Sequence, residues 1–580
     1  MKALILPYFK KNFKKILAGM IAMIVVDGLQ LITPQIIKNA VDALAQGLGD
    51  RSVILEQCLI ILGLGLAMSI LRYFWRIWLM GSARELEMGL RDDLFRHALD
   101  LDPAFYDRVK TGDVMAHATS DINHVRMAFG FGLIVMVDTL LLGTATLGIM
   151  IYTHPKLTLL AMIPMPFLVY FTRKLGQKMH DFHKTAQESF SILTEMVRES
   201  FFGIRVIKVF NFEPFTAERV TDASRDYFKK NLKRAVVTAL MKPLLGFFFN
   251  LSSLIIIFYG GYLAMADQIS PGELVSFLQY LNILAWPIIA IGWMTNLFQR
   301  GMASLKRIAK LLQARPGIQR PGDGGVSWKD PKGDVQFKTV TFDYGETRVL
   351  DGINLTVAPG TRAGISGPPG SGKTSLIQLI PRLYDATEGQ VLVDGTDVRD
   401  LDPDTLRSHI ALMPQEPFLF SGTIRENLLM GRTLDKDIPQ ERLDQVIHTC
   451  DLTRTLDQMP QGLETLVGER GVTLSGGQKQ RLALARTLIT DKKIIILDDP
   501  VSQVDTQTAE NIISRLGRAN PESTFIIISH RLSALAPCDT IYILEQGKIQ
   551  AQGDHDHLIS TNPFYRDAFK VQQFEEARGV

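Results

Sequence analysis

What most constrains this chain is a set of six long apolar stretches, all in its first half. They run over residues 16–37, 53–79, 127–152, 157–172, 236–265 and 274–298. The hydrocarbon core of a bilayer is about 30 Å thick, so a spanning α-helix takes about 20 mainly apolar residues. Inside that layer no water satisfies backbone N–H and C=O groups, and stretches of this length and composition specify helices. The rest of the 580 residues carries no comparable run. There, strand-like and helix-like periods alternate. The expectation is an all-α, six-helix transmembrane domain over residues 1–312, a Pro- and Gly-containing linker over 313–333, and an α/β domain over 334–580.

Charge orients the spans. Three connections are short and weakly basic: residues 42–51, the turn at His154–Pro155, and residues 267–273. Two are long and basic. One holds Arg84, Arg91, Arg96, Arg108, Lys110 and Arg126; the other holds Arg173, Lys174, Lys178, Lys229, Lys230, Lys233 and Arg234. The positive-inside rule places both long connections and both termini in the cytoplasm; no eukaryotic targeting signal stands out, and the expectation is a bacterial inner membrane. Helical periodicity persists through residues 84–99 and 184–210, so the spanning helices are expected to continue beyond the bilayer as stalks. The basic N-terminal segment with Lys10, Lys11, Lys14 and Lys15 precedes an apolar run too long for a signal peptide, without an A-x-A site. It reads as an amphipathic helix on the membrane surface.

A net charge of +3 gives no argument for a nucleic-acid partner. Cys58, Cys450 and Cys538 are few, odd in number and far apart, so neither a disulfide framework nor a metal cluster follows. Asp27, Arg72, Arg76, Asp138 and Asn282 lie at membrane depth, where polar groups face a cavity or pair with one another. Arg72 and Arg76 read as pairing between helices or snorkelling to the interface; Asp27 and Asp138 fit a polar cavity and helix pairing equally. Trp286, Trp293 and Met294 surround Pro287, whose missing N–H is expected to kink the last span. Cavity wall and lipid-facing surface both stay open for these aromatics.

The soluble half carries chemistry. Residues 367–374 read GPPGSGKT, the P-loop pattern G-x-x-x-x-G-K-[ST], between the strand-like TRAGIS and the helical LIQLIPRLY. Gly367, Gly370 and Gly372, with Pro368, Pro369, Ser371 and Ser375 in the same loop, let backbone N–H groups close on phosphates at a helix N-terminus. Lys373 would neutralise the β and γ phosphates of ATP, and Thr374 would offer its hydroxyl to Mg²⁺. Farther on, KKIIILDD is an apolar strand ending in two acids. It would deliver Asp498 beside the P-loop as a magnesium partner and Asp499 as the group that polarises the attacking water.

The run LSGGQKQRLALAR, residues 474–486, is similar to the signature sequence of ATP-binding cassette proteins. Other elements of that family stand in its order. Tyr344 in FDYG resembles the aromatic that stacks on adenine, and Gln415 in MPQEPFLF the glutamine that touches Mg²⁺ and senses the membrane domain. Residues 467–471, VGERG, resemble the exporter-specific loop, and Asp505 in SQVD the loop between cassettes. His530 in ISHRL resembles the switch histidine at the γ phosphate. In the membrane half, residues 104–126 and 204–213 resemble the two intracellular loops of helix-swapped exporters, with Phe105, Tyr106, Asn211 and Phe212 as contacts to the cassettes. The resemblance implies two cassettes sandwiching two ATP molecules. Leu474, Ser475, Gly476, Gly477 and Gln478 would then serve the nucleotide held by the partner's P-loop, and cassette closure would open the cavity outward.

One position departs from the family. Its hydrolytic sites carry glutamate after the magnesium aspartate, where this chain has Asp499. Losing one methylene retracts the carboxylate by roughly 1.5 Å, and about 1 Å of misplacement can cost on the order of 100-fold in rate. With an intact LSGGQ, the chain resembles the weakened-site subunit of a heterodimeric exporter of drugs or lipids, whose partner carries the glutamate. A homodimeric exporter, an ATP-gated channel and a siderophore importer are the alternatives. The absence of a long regulatory insertion between the halves disfavours the channel.

Overall fold

The computed structural model describes residues 2–46, 51–321, 328, 331–430, 438–468 and 474–577. Two compact units emerge: one holds Met1–Asp100 and Lys110–Ala314, the other Leu101–Val109 and Arg315–Val580. The division expected from sequence was continuous. In the structure the nine residues Leu101–Val109 belong instead with the α/β unit, because their polar side chains find partners there.

Among the described residues the first unit contains six helices long and apolar enough to cross a membrane: Phe13–Ala45, Ser52–Asp100, Thr111–Thr153, Pro155–Phe202, Glu213–Met265 and Pro271–Leu312. All run well past the length a bilayer needs. A further helix, Lys2–Lys11, precedes them and ends on Lys10 and Lys11. The sixth span passes through Pro287 as one uninterrupted helix. At Gly143 of the third span an added Cβ would lie 3.4 Å from Pro287 Cβ, an ordinary van der Waals contact between the third and sixth spans. The sixth span starts on a capping box between Ser270 and Glu273. Asp42 of the first span accepts from Ser270 Oγ at 2.8 Å and from Gly272 N at 2.7 Å.

Two acids in this unit differ sharply. Asp121, in a π-helical turn of the third span, is buried and fully engaged. It accepts from Arg307 Nε at 2.9 Å and Ser304 Oγ at 2.8 Å, with His117 Nδ1 at 2.7 Å. Asp27 is buried as well, yet its Oδ2 has no hydrogen-bond donor. Asp138 is its close neighbour, with Trp286 beside the pair. Arg72 donates to Gln30 of the first span at 3.0 Å, a pairing between helices. The Trp293 side chain lies outside the described residues.

In the second unit β1 (Val335–Tyr344), β2 (Thr347–Val357), β3 (Arg362–Ser366), β4 (Glu388–Val393), β5 (Thr396–Asp397) and β6 (Ile410–Met413) come first. Then follow β7 (Gly422–Thr423), β8 (Leu466–Val467), β9 (Ile494–Asp498), β10 (Thr524–Ile528), β11 (Thr540–Glu545) and β12 (Lys548–Gly553). An antiparallel sheet has the order β2-β1-β4-β5, and a larger sheet the order β12-β11-β3-β10-β9-β6. In the larger sheet β11, β3, β10, β9 and β6 are parallel. Parallel sheets need both faces covered, and β9 and β10 are buried along their whole length. Ile495, Leu497, Phe525 and Ile527 enter one core; Ile494, Ile496, Ile526 and Ile528 enter the other. That is the period-two alternation of a strand.

Candidate functional site

Strand register assembles the site. Ile365 of β3 pairs with Ile528 of β10, Ile528 with Asp498 of β9, and Met413 of β6 with Leu497. The carboxyl ends of four parallel strands therefore align. The chain leaves those ends as the P-loop, as Ser529–His530, as Asp498–Asp499 and as Pro414–Gln415. This edge is where open α/β sheets bind ligands.

At the P-loop, a Cβ on Gly367 would sit 2.0 Å from the Leu544 carbonyl oxygen, so no side chain fits. Gly372 adopts φ +100° as the N-cap of the helix Lys373–Leu379. Pro368, Pro369, Gly370 and Ser371 complete the turn, and Ser371 N donates to Pro368 O at 3.3 Å. The helix is shorter than the sequence suggested, because Pro381 disfavours helical backbone just before it; the residues PRLY form a turn. Lys373 is buried, its Nζ folded over the loop onto Gly367 O at 2.9 Å and Pro368 O at 2.8 Å. Burial holds its pKa below the ordinary lysine value, opposed by Asp498 and Asp499.

Thr374 Oγ1 donates to Asp498 Oδ2 at 2.9 Å. Burial pushes the Asp498 carboxyl up, while the Thr374 hydrogen bond pulls it down. A buried carboxylate beside a hydroxyl at the mouth of a phosphate loop is the hard-oxygen pair a magnesium ion takes, so the residues present fit a metal–nucleotide. Asp499 has left-handed backbone, φ +53°, and is buried. Its Oδ1 accepts from Ser529 Oγ at 3.3 Å. His530 follows Ser529 directly and is exposed. Gln415 is exposed at the same sheet edge.

Tyr344 ends β1 with its ring against Phe342 (centroids 4.7 Å apart) and Tyr384 (5.4 Å). Its hydroxyl donates to Gln378 Oε1 at 3.3 Å and accepts from Ser375 Oγ at 3.4 Å, both on the P-loop helix. The signature helix, Gly476–Leu488, is capped by Ser475 in a reciprocal box with Gln478. A Cβ on Gly477 would meet the Gln503 carbonyl at 2.7 Å. Leu474 is buried beneath. Asp505 caps the helix Thr506–Ala519 by accepting from Thr508 N at 2.9 Å, which lowers its pKa. Of VGERG, residues 469–471 lie outside the described residues.

Phe105 and Tyr106 make an edge-to-face pair, centroids 5.3 Å apart, on the short helix Pro103–Arg108. Asn211 has φ +53° and turns the chain before Phe212, which is half exposed and neighbours Phe210 and Phe215. Two residues escaped the sequence reading. Gln480, wholly buried, donates to Asp499 O at 2.7 Å and Ser502 Oγ at 2.8 Å, tying the signature helix to the acid. Ser529 holds the Asp499 carboxylate. The only signal for either was its place beside a recognised motif.

Parallel strand ends, a phosphate loop and a threonine–aspartate pair define a P-loop ATPase, here fused to a six-helix membrane domain. Comparison with known proteins is decisive about the family. Residues 16–288 match the ABC transporter transmembrane region and residues 350–502 the ABC transporter family. The chain is 34% identical over 98% of its length to the multidrug resistance-like ATP-binding protein MdlA of Escherichia coli strain K12, 96% of which is covered. It is 35% identical over 98% of its length to YheI of Bacillus subtilis strain 168, a probable multidrug resistance ABC transporter ATP-binding/permease protein, also 96% covered. A solved structure of a bacterial Atm1-family ABC exporter with ATP bound superposes with a TM-score of 0.78 at 25% identity, covering 96% of this chain and 98% of that one. The chain belongs to the ABC transporter family, as an exporter with its membrane and ATP-binding domains fused. Its reaction is ATP hydrolysis coupled to transport.

Proposed function

We propose that this chain is one half of a heterodimeric exporter of hydrophobic or amphipathic compounds, drugs or lipids, whose own hydrolytic site is weakened. Relatives in this range include proteins named for multidrug resistance and, at 29% identity, an ATP-dependent lipid A-core flippase of Burkholderia orbicola. Lys373 and the P-loop backbone bind the phosphates, Tyr344 stacks on adenine, and Thr374, Asp498 and Gln415 hold Mg²⁺. Residues Ser475–Gln478 serve the nucleotide of the partner, a second half-transporter with glutamate after its magnesium aspartate. Asp505 borders the joint between cassettes. Phe105, Tyr106, Asn211 and Phe212 transmit cassette movement, and Asp27, Asp138 and Trp286 border the substrate path. The N-terminus and the cassette face the cytoplasm of a bacterial cell, following the basic connections.

The observation that carries the weakened-site reading is Asp499. It is one methylene shorter than the family's glutamate, and its carboxylate is hydrogen-bonded to Ser529. A catalytic base must come within about 3 Å of the proton it takes. The test is ATP turnover of the purified chain in nanodiscs, alone and with its partner. Near-inactivity alone, activity together, and loss on Glu→Gln in the partner support the heterodimer. A stable homodimer with robust turnover that Asp499→Asn abolishes would sink it.

A further inference from the structure

The short helix Pro103–Arg108 links the second span to the third, and the structure anchors it at both ends. At its start Asp102 accepts from Phe105 N at 3.2 Å as N-cap. The same carboxylate accepts from Gly317 N and, at 3.1 Å, from Ile318 N, in the segment that follows the sixth span. At its far end Asp107 Oδ2 accepts from the hydroxyl of Tyr384 at 2.8 Å. Tyr384 sits in the turn just after the P-loop helix. That turn is rigid: the buried Arg382 donates to Asp385 at 2.8 Å, to Gln319 O at 3.0 Å and to Arg399 O at 3.2 Å. Burial, and then the bond to Asp107, raise the Tyr384 pKa, so the phenol stays a donor.

The other side of the Tyr384 ring meets Tyr344, edge to face with an interplanar angle of 82°. One aromatic thus joins the residue assigned to the adenine ring and a helix covalently continuous with two spans. We infer that Tyr384 is a positioning residue that makes the docking helix respond to the nucleobase, separately from the phosphates. The inference rests on the Tyr344 assignment proposed above. A base stacked on Tyr344 fixes its ring, the ring fixes Tyr384, and the hydroxyl holds Asp107. Phosphates act through Lys373 and Thr374, on the opposite end of the P-loop helix.

Amide hydrogen exchange on the full-length chain with its partner in nanodiscs tests this. Magnesium ATP should slow exchange in both the P-loop and the 103–108 peptide; magnesium tripolyphosphate, which lacks a base, should slow only the P-loop. In Tyr384→Phe, which keeps the ring and deletes the hydroxyl, ATP should still protect the P-loop, while its effect on 103–108 falls about tenfold, the scale of a hydrogen bond to a charged group. Asp107→Asn should do the same, and the double variant no more than either. Equal protection of 103–108 by ATP and tripolyphosphate, or an unchanged response in Tyr384→Phe, overturns the inference. In Tyr344→Ala, saturating ATP should still protect the P-loop through its phosphates but no longer 103–108, which supports Tyr344 as the base contact. Retained protection of 103–108 in Tyr344→Ala overturns that assignment and, with it, the route.

Discussion

The cassette and the membrane half treat buried acids differently. In the cassette, even the partly buried Asp394 accepts from Trp328 Nε1 at 3.0 Å and from the backbone N–H groups of Lys332, Gly333 and Asp334 at 2.7, 2.9 and 2.8 Å. Asp498 has Thr374, and Asp499 has Ser529. In the membrane half, Asp121 is saturated in the same way, yet Asp27 keeps a buried oxygen with no donor. A satisfied buried acid is a device of the fold. An orphaned one at membrane depth costs stability, and such groups mark function.

Four changes test that contrast, in order of expected size. Asp121→Ala should destabilise the membrane half most, by about 3 kcal/mol, because it strips Arg307, Ser304 and His117 of a shared acceptor at once. Thermal unfolding in detergent measures it; a loss near zero would put Asp121 in the same class as Asp27. Lys373→Ala should weaken binding of a fluorescent ATP analogue on the order of 100-fold by removing a charge-assisted contact, with little change in Tm. In Asp499→Glu, which restores the methylene, turnover at this site should rise about tenfold in a steady-state ATPase assay. No gain would mean that the Ser529 bond, rather than reach, limits the acid. Asp27→Asn should change least, within about 1 kcal/mol and toward stabilisation, since it supplies a donor where two carboxyls meet. A fall in Tm comparable to that of Asp121→Ala would abolish the contrast.

Much of this molecule was legible in sequence. Apolar length predicted six spans because the bilayer sets a fixed thickness and leaves the backbone no alternative partner. The P-loop was legible because a phosphate cradle needs glycine where a Cβ would strike Leu544 O. Local chemistry of this kind is written in neighbouring residues.

What stayed hidden depends on residues far apart in the chain. Asp27 and Asp138, Asp107 and Tyr384, and Asp499 and Ser529 meet only after folding. Apolar periodicity says which face of a helix is buried, not which polar group waits opposite. The residues Leu101–Val109 read as part of the membrane half by position alone; hydrogen bonds of Asp102 to Gly317 and Ile318 and of Asp107 to Tyr384 place them in the cassette unit. Sequence by itself determined the elements and the phosphate chemistry, since both follow from composition and spacing. Tertiary structure alone decided which buried acids are satisfied, because a hydrogen bond requires two atoms within about 3 Å, whatever their separation in the chain.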